Sequence, residues 1–316
     1  MGRLLVASQL NEAFNTVFAE RLPDVDILAL PPGPPAALPH AAKVLIAAPF
    51  RKAGGSLPPV PPPGWPFDVK WVQLVSVGID FYPEWLFDGP VVTSARGSSA
   101  VALAEFALAA IFAEAKHLPD IWIDRFEQWA PTPISLVAGK TLGIVGFGSI
   151  GEALAPRAQA LGLKVLATRR STTPIQQDGV EQLHDLGELF ARSDIVVLAA
   201  PATPETRHLV NRQVLAGAKP GLHLINVARG ALIDDDALLA ALDDGQVGRA
   251  SLDVTHPEPL PYNHAYYSHP RVRLSPHTSV HTPDTRLNLA AQFAQNLDRF
   301  RQGAPLEDVV DTARGY

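Results

Sequence analysis

Three residues in the last third of the chain have types that could work together: Arg229 in "INVARG", Glu258 in "LDVTHPEP" and His277 in "RLSPHTS". Each follows a short β-branched run, and in an open α/β sheet the reactive groups gather at the carboxyl ends of the strands. An arginine, a carboxylate and an imidazole brought to one crevice suit the reduction of a 2-oxo acid. Arg229 can hold the substrate carboxylate through a fork of N–H donors and polarise the adjacent carbonyl. His277, protonated, can donate to the developing alkoxide and take the proton back in the reverse direction. Glu258, paired with His277, would stabilise the charged ring and fix its orientation. Taken singly, each has a plainer reading: one histidine of ten, a loop carboxylate beside prolines, an arginine closing a strand turn. Their joint placement carries the expectation.

The elements that must position them alternate short β-branched runs with longer Ala/Leu-rich stretches of helical period, which predicts an α/β chain with parallel sheets. Two series emerge. The first has strands "RLLVAS", "VDILAL", "KVLIAA", "KWVQLVSV" and "PVVTSA"; the second has six, "TLGIVGF", "KVLATR", "DIVVLAA", "GLHLINVA", "RASLDV" and "RVRLSP". Arg229, Glu258 and His277 then follow strands four, five and six of the second series. Between the series, "SSAVALAEFALAAIFAEAKHL" reads as a long connecting helix capped by Ser98 or Ser99, with Pro119 past its end. The periodic stretch from Asp284 to Arg301 comes after the second series is complete, so it is free to return to the first. The fold expected is two Rossmann-like doubly wound domains, the first of them discontinuous: a flavodoxin-like substrate domain over 1–97 and 283–316, and a dinucleotide-binding domain over 98–282. "PPGPPAALP" and "LPPVPPPGWP" read as stiff surface loops.

The stretch "KTLGIVGFGSIGEALAPRAQALGLKVLATRRS" gives a glycine turn its proper context of strand before, helix after and second strand about twenty residues on. Gly146 permits the tight turn, Gly148 lets amides approach a pyrophosphate, and Gly151 allows close packing of the helix. Ser149 and Ile150 open that helix, whose amino terminus offers unpaired N–H groups to phosphates. Pro156 should kink or unwind it. At the end of the second strand, where a carboxylate would bind the ribose hydroxyls, stand Thr168, Arg169, Arg170 and Ser171. Guanidinium groups there suit a 2′-phosphate, so NADP(H) is expected ahead of NAD(H), with Arg169 reaching the phosphate. The plainer reading is a pair of solvated arginines at a strand end.

Composition narrows the field. Two domains suit 316 residues, and with 47% apolar and 18% charged residues the chain is globular rather than disordered. A net charge of -6 with scattered basic residues argues against a nucleic-acid partner. Without cysteine there are no disulfides, thiolate metal sites or cysteine nucleophiles, and no metal is expected. The first apolar run is too short for a signal peptide, and Glu105 and Glu114 interrupt the longest apolar segment, so a soluble cytoplasmic protein is expected, away from membranes.

"GIVGFGSIG", "LAAPATPETRHLVN", "AKPGLHLINVARGALIDDDALLAAL", "SLDVTHPEPLP" and "HPRVRLSPHTS" together resemble the D-isomer-specific 2-hydroxyacid dehydrogenase family, which includes glyoxylate/hydroxypyruvate reductases. The resemblance runs over essentially the whole chain. It implies an NAD(P)-dependent enzyme in which Arg229, Glu258 and His277 are catalytic. It also implies that Asp253 contacts the nicotinamide carboxamide, that Pro201, Thr206 and Val227 line the cofactor, and that backbone near Val77 and Gly78 cradles the substrate carboxylate. Members of the family usually dimerise through the segment after the long helix, here "PDIWIDRFEQWAPTP". Trp122 and Trp129 are read as anchors of a homodimer or as side chains packed within their own subunit. Departures include Ala199 and Ala200 where many members carry a bulkier pair, and Phe50 with Arg51 as contacts for a substrate tail, Arg51 being equally readable as a surface charge. A nucleotide-sensing binding protein of the corepressor kind is the competing class; it would keep the same residues and lack turnover.

Overall fold

The Val- and Ile-rich runs do form strands, and all of them pair in parallel. The computed structural model describes residues 3–50 and 56–316. They divide into two units, Met1–Ser99 with His281–Tyr316, and Ala100–Val280.

In the first unit, β1 (Leu4–Ser8), α1 (Glu12–Arg21), β2 (Val25–Ala29), β3 (Val44–Ala47), β4 (Trp71–Leu74) and β5 (Val91–Thr93) build a five-stranded sheet of order β2-β1-β3-β4-β5. Asn11 caps α1, accepting from the Phe14 amide. β3 and β4 are buried along their whole length, as interior parallel strands must be. One face of the sheet is covered by irregular chain. Trp65 and Leu57 from the proline-rich stretch pack on it, and the Trp65 and Trp85 rings meet edge to face at 5.0 Å. Their indole N–H groups donate to the carbonyls of Trp85 and Pro58, at 3.0 Å each. The expected surface loop is therefore a cover for the core.

The second unit begins with α2 (Ala100–Ala115). Ser98 does not cap it; the hydroxyl donates back to the Ala95 carbonyl at 2.8 Å. Then come β6 (Thr141–Val145), α3 (Ser149–Ala160), β7 (Lys164–Thr168), β8 (Val180–Leu183), α4 (Leu186–Arg192), β9 (Ile195–Leu198), α5 (Arg212–Ala216), β10 (Leu222–Asn226), α6 (Asp235–Asp243), β11 (Val247–Leu252) and β12 (Val272–Leu274). Seven strands, not six, form the sheet, in the order β12-β11-β10-β9-β6-β7-β8. The additional strand, β8, is a short "VEQL" at the sheet edge with one buried residue, so it lacks the apolar run that marks the others. Two layers of core flank the sheet: Leu103, Ala104, Ala107 and Ile111 of α2 pack with α3 on one face, and α4 to α6 cover the other. α3 stays one helix through Pro156.

The chain closes with α7 (Pro283–Gln302), which belongs to the first unit. Thr282 caps it, Pro283 takes its first turn, and Gly303 at φ 66° ends it in the left-handed conformation. Leu289, Phe293 and Leu297 enter the first core, where Phe293 stacks on Trp71 at 4.8 Å. The tail beyond follows β5, with Val310 donating to Val92 at 2.9 Å.

Candidate active site

Arg229, Glu258 and His277 follow β10, β11 and β12, all at the carboxyl end of the seven-stranded sheet. His277 Nδ1 lies 2.9 Å from Glu258 Oε2, and Glu258 Oε1 accepts from the Thr255 amide at 3.0 Å. An ionised carboxylate only accepts, so Nδ1 carries the hydrogen. Burial raises the Glu258 carboxyl, but the His277 ring, the Thr255 amide and the Arg229 charge outweigh it and hold the group below its ordinary range. The carboxylate therefore stays charged beside the imidazole.

His277 itself sits at φ 52°, a left-handed conformation uncommon outside glycine. Its amide donates to the Asp253 carbonyl at 2.8 Å. The Asp253 carboxylate takes the Ser275 hydroxyl at 2.6 Å, the Thr278 amide at 3.0 Å, and both the amide and the hydroxyl of Ser279. Burial raises this carboxyl too, yet those donors bring it below the ordinary range. Asp253 is 1% exposed, and four donors fill its acceptor sites. The side chain thus ties Asp253 to the loop that carries His277.

Arg229 stands between β10 and the start of α6, its carbonyl accepting from Asn226 at 2.9 Å and Nη1 donating to the Ala228 carbonyl at 2.8 Å. The next residue, Gly230, was not anticipated as important. A Cβ there would lie 2.0 Å from the Thr255 carbonyl carbon, so the arginine segment and the glutamate segment touch backbone to backbone. Val227 is 4% exposed within the apolar core beside β10.

At the other side of the sheet's carboxyl end, Gly146 has φ 91°, and a Cβ on it would come within 2.6 Å of the Ala200 backbone. Gly148 is the N-cap of α3; no side chain caps the helix, and the Cβ position of Gly148 has no atom within 4 Å. Open space over an uncapped helix start that begins Ser149, Ile150, Gly151 suits a pyrophosphate. The close packing allowed by Gly151 is against the Phe147 ring, at 2.9 Å from a Cβ. Thr206 holds its own turn together, donating to the Pro201 carbonyl at 2.7 Å and accepting from the Thr203 amide at 2.8 Å.

Thr168 ends β7, and its carbonyl accepts from the Gly146 amide at 2.9 Å, which brings the second strand's end beside the glycine turn. Arg169 is half-buried, whereas Arg170 and Ser171 are exposed, Ser171 bonding Thr173 at 2.9 Å. The acid that the sequence did not suggest here is Glu205: its carboxyl is held below the ordinary range by the Thr203 hydrogen bond first, with Arg170 contributing. In the first unit, Val77 and Gly78 follow β4, and the Ser76 hydroxyl donates to the Gly78 carbonyl at 2.8 Å. Arg51 lies outside the described residues.

The model of the D-isomer specific 2-hydroxyacid dehydrogenase, NAD binding domain, matches residues 108–279. A D-3-phosphoglycerate dehydrogenase of Bacillus subtilis is 35% identical over 250 residues, 77% of this chain and 47% of that protein. The chain thus spans about half the length of the first curated relatives it matches. A glyoxylate reductase of Aeropyrum pernix is 36% identical over 236 residues, 71% of this chain and 70% of that protein. Among solved structures, a D-isomer specific 2-hydroxyacid dehydrogenase from Xanthobacter autotrophicus, in complex with NADPH and MES, has a TM-score of 0.81 at 27% identity, covering 100% of both chains.

Proposed function

Because the chain belongs to the D-isomer specific 2-hydroxyacid dehydrogenase family and its dinucleotide domain fits a nicotinamide cofactor, we propose that it reduces a small 2-oxo acid, of the glyoxylate or hydroxypyruvate kind, to the D-2-hydroxy acid with NADPH preferred. The observation that carries this reading is the Glu258–His277 pair at 2.9 Å, an acid–base unit in which the carboxylate orients the ring. The nicotinamide supplies the hydride. His277 gives its Nε2 proton to the alkoxide oxygen as that charge develops, Glu258 stabilises the charged ring, and Arg229 pairs with the substrate carboxylate.

The preference for NADPH rests on Arg169. Arg170 stands within the field of Glu205, so the half-buried Arg169 is the better placed charge for a 2′-phosphate, with Thr168 and Ser171 beside it. Gly146, Gly148, Ser149, Ile150 and Gly151 hold the pyrophosphate, and Pro201 and Thr206 shape the adjoining wall.

A homodimer is part of the same proposal. Trp122, Phe126 and Trp129 are 71%, 84% and 77% exposed, so none is packed within its own subunit. Side chains of this size in one short stretch favour burial against a second copy. No helix among the described residues is long and apolar enough to cross a membrane.

The test is the initial rate of NADPH and NADH oxidation with glyoxylate, hydroxypyruvate, pyruvate and a bulkier 2-oxo acid. Turnover with a clear NADPH advantage is the expected result. Tight cofactor binding without turnover on any of them would return the sensor reading.

A further inference from the structure

Beyond the three chemical groups, a polar pair of one buried tyrosine and one half-buried aspartate joins the stretches that carry them. Tyr266 lies in a 3-10 turn over Ala265–Tyr267, eight residues after Glu258 and eleven before His277. Asp235 opens α6, six residues after Arg229. The Tyr266 hydroxyl donates to Asp235 Oδ1 at 2.9 Å, and the ring is 2% exposed. We propose that this hydrogen bond is a strut for catalysis, making Tyr266 and Asp235 positioning residues that hold the Glu258–His277 stretch in register with the Arg229 stretch.

The surroundings favour this reading over simple core packing. A phenylalanine would fill the same apolar space, whereas a buried tyrosine hydroxyl must find a partner, and this one finds a carboxylate that is itself costly to bury. Burial raises the Asp235 carboxyl despite Tyr266 and the fields of His264, His256 and His208; the Tyr266 hydroxyl is raised as well, by burial and by Asp234, Asp235 and Asp236. Such an arrangement holds its proton on the tyrosine and its charge on the aspartate. The long connection from β11 to β12 has further ties: Tyr267 donates to the Leu260 carbonyl at 3.3 Å, His264 accepts the Tyr266 amide at 3.3 Å and its Nε2 lies 3.6 Å from Asp235 Oδ2, and nearer β12 His269 Nε2 lies 3.3 Å from Asp243 Oδ1. The Gly230–Thr255 contact is steric and sets how near the two stretches come; of the two polar contacts on Asp235 from the Tyr266 turn, the 2.9 Å bond from the Tyr266 hydroxyl is shorter than the 3.6 Å approach of His264.

The proposal rests on reading Glu258 and His277 as the acid–base pair, so its test has a readout that needs no turnover. Tyr266→Phe is compared with Asp235→Asn, whose amide oxygen can still accept from the hydroxyl. Tyr266→Phe should lower kcat about tenfold while KM for the 2-oxo acid and Kd for cofactor stay within about twofold; Asp235→Asn should keep kcat within about threefold. Carbon-13 NMR of the Glu258 carboxyl, assigned with Glu258→Gln, gives the second readout. Its titration midpoint should rise toward the ordinary glutamate value of about 4.3 in Tyr266→Phe and stay low in Asp235→Asn. A folded Tyr266→Phe with kcat and the Glu258 midpoint unchanged overturns the strut, and so does a lower Tm with both unchanged. Should Tyr266→Phe not fold, Asp235→Ala asks the same question from the other end of the bond. If the wild-type protein turns over no 2-oxo acid, the proposed function fails, while the Glu258 midpoint still decides the strut.

Discussion

The Glu258–His277 corner and the Arg169–Arg170 corner stand at the same end of one parallel sheet, yet they are built in opposite ways. In the first, each reacting group is held by named partners: Thr255 on Glu258, Glu258 on His277, and the Asp253 carbonyl on the His277 amide. In the second, Arg170 and Ser171 are exposed, Ser171 bonds only its neighbour Thr173, and the Gly146 to Thr168 backbone bond sets the strand end beneath them. Proton transfer tolerates little error in position, so its groups are preorganised. Selecting between two nucleotides needs only charge within reach of a phosphate, so long side chains at a surface suffice.

Substitutions should separate the two corners by size of effect. The largest loss is expected for His277→Ala, roughly a thousandfold in kcat with cofactor Kd nearly unchanged, read from steady-state rates and fluorescence titration. An active His277→Ala would break the contrast outright. Next comes Gly230→Ala, which drives a methyl into the Thr255 backbone. We expect about 3 kcal/mol of lost stability in urea unfolding, with activity falling more than stability explains. Replacing Arg169 and Arg170 together by alanine should weaken NADPH about tenfold and leave NADH alone, measured as the ratio of the two Kd values. Equal weakening of both would mean that the nucleotide corner is as preorganised as the other.

The smallest effect is one of pH. The Glu258 carboxyl is depressed in the folded protein, so its pairing stabilises the fold above the unfolded carboxylate range of about 4.3 and is lost as pH falls through the depressed value. The difference in unfolding free energy between wild type and Glu258→Gln should stay level from neutral pH to about pH 5 and shrink below about pH 4. A difference that grows on acidification would reverse the sign assigned here.

Much of the candidate site could be read from the chain because it depends on strand ends. Arg229, Glu258 and His277 each follow a recognisable apolar run, and the glycine turn has its strand and helix in sequence. What stayed hidden depends on contacts between loops. Nothing local to "ARGAL" says that Gly230 meets Thr255, and nothing in "LDVTH" says that Asp253 will be surrounded by hydroxyls and amides from residues 275–279. β8 was missed for a different reason, since an edge strand with a single buried residue carries almost no apolar signal. Glu205 lies thirty-five residues from Arg170, beyond any spacing rule. The tryptophans were ambiguous because a chain does not state whether its large rings face inward or toward a second copy.

The return of α7 to the first unit also imposes an order on biosynthesis. Residues 1–99 leave the ribosome early, but their core lacks Leu289, Phe293 and Leu297 until the last helix is made. The dinucleotide unit, continuous from Ala100 to Val280, can close while its predecessor is still waiting with Trp71 unstacked. The amino-terminal segment is then the stretch that chaperones would guard, and nascent chains stalled before α7 should be cut by protease there while the dinucleotide unit resists. Protection of both segments in such stalled chains would show that the first unit closes without its final helix.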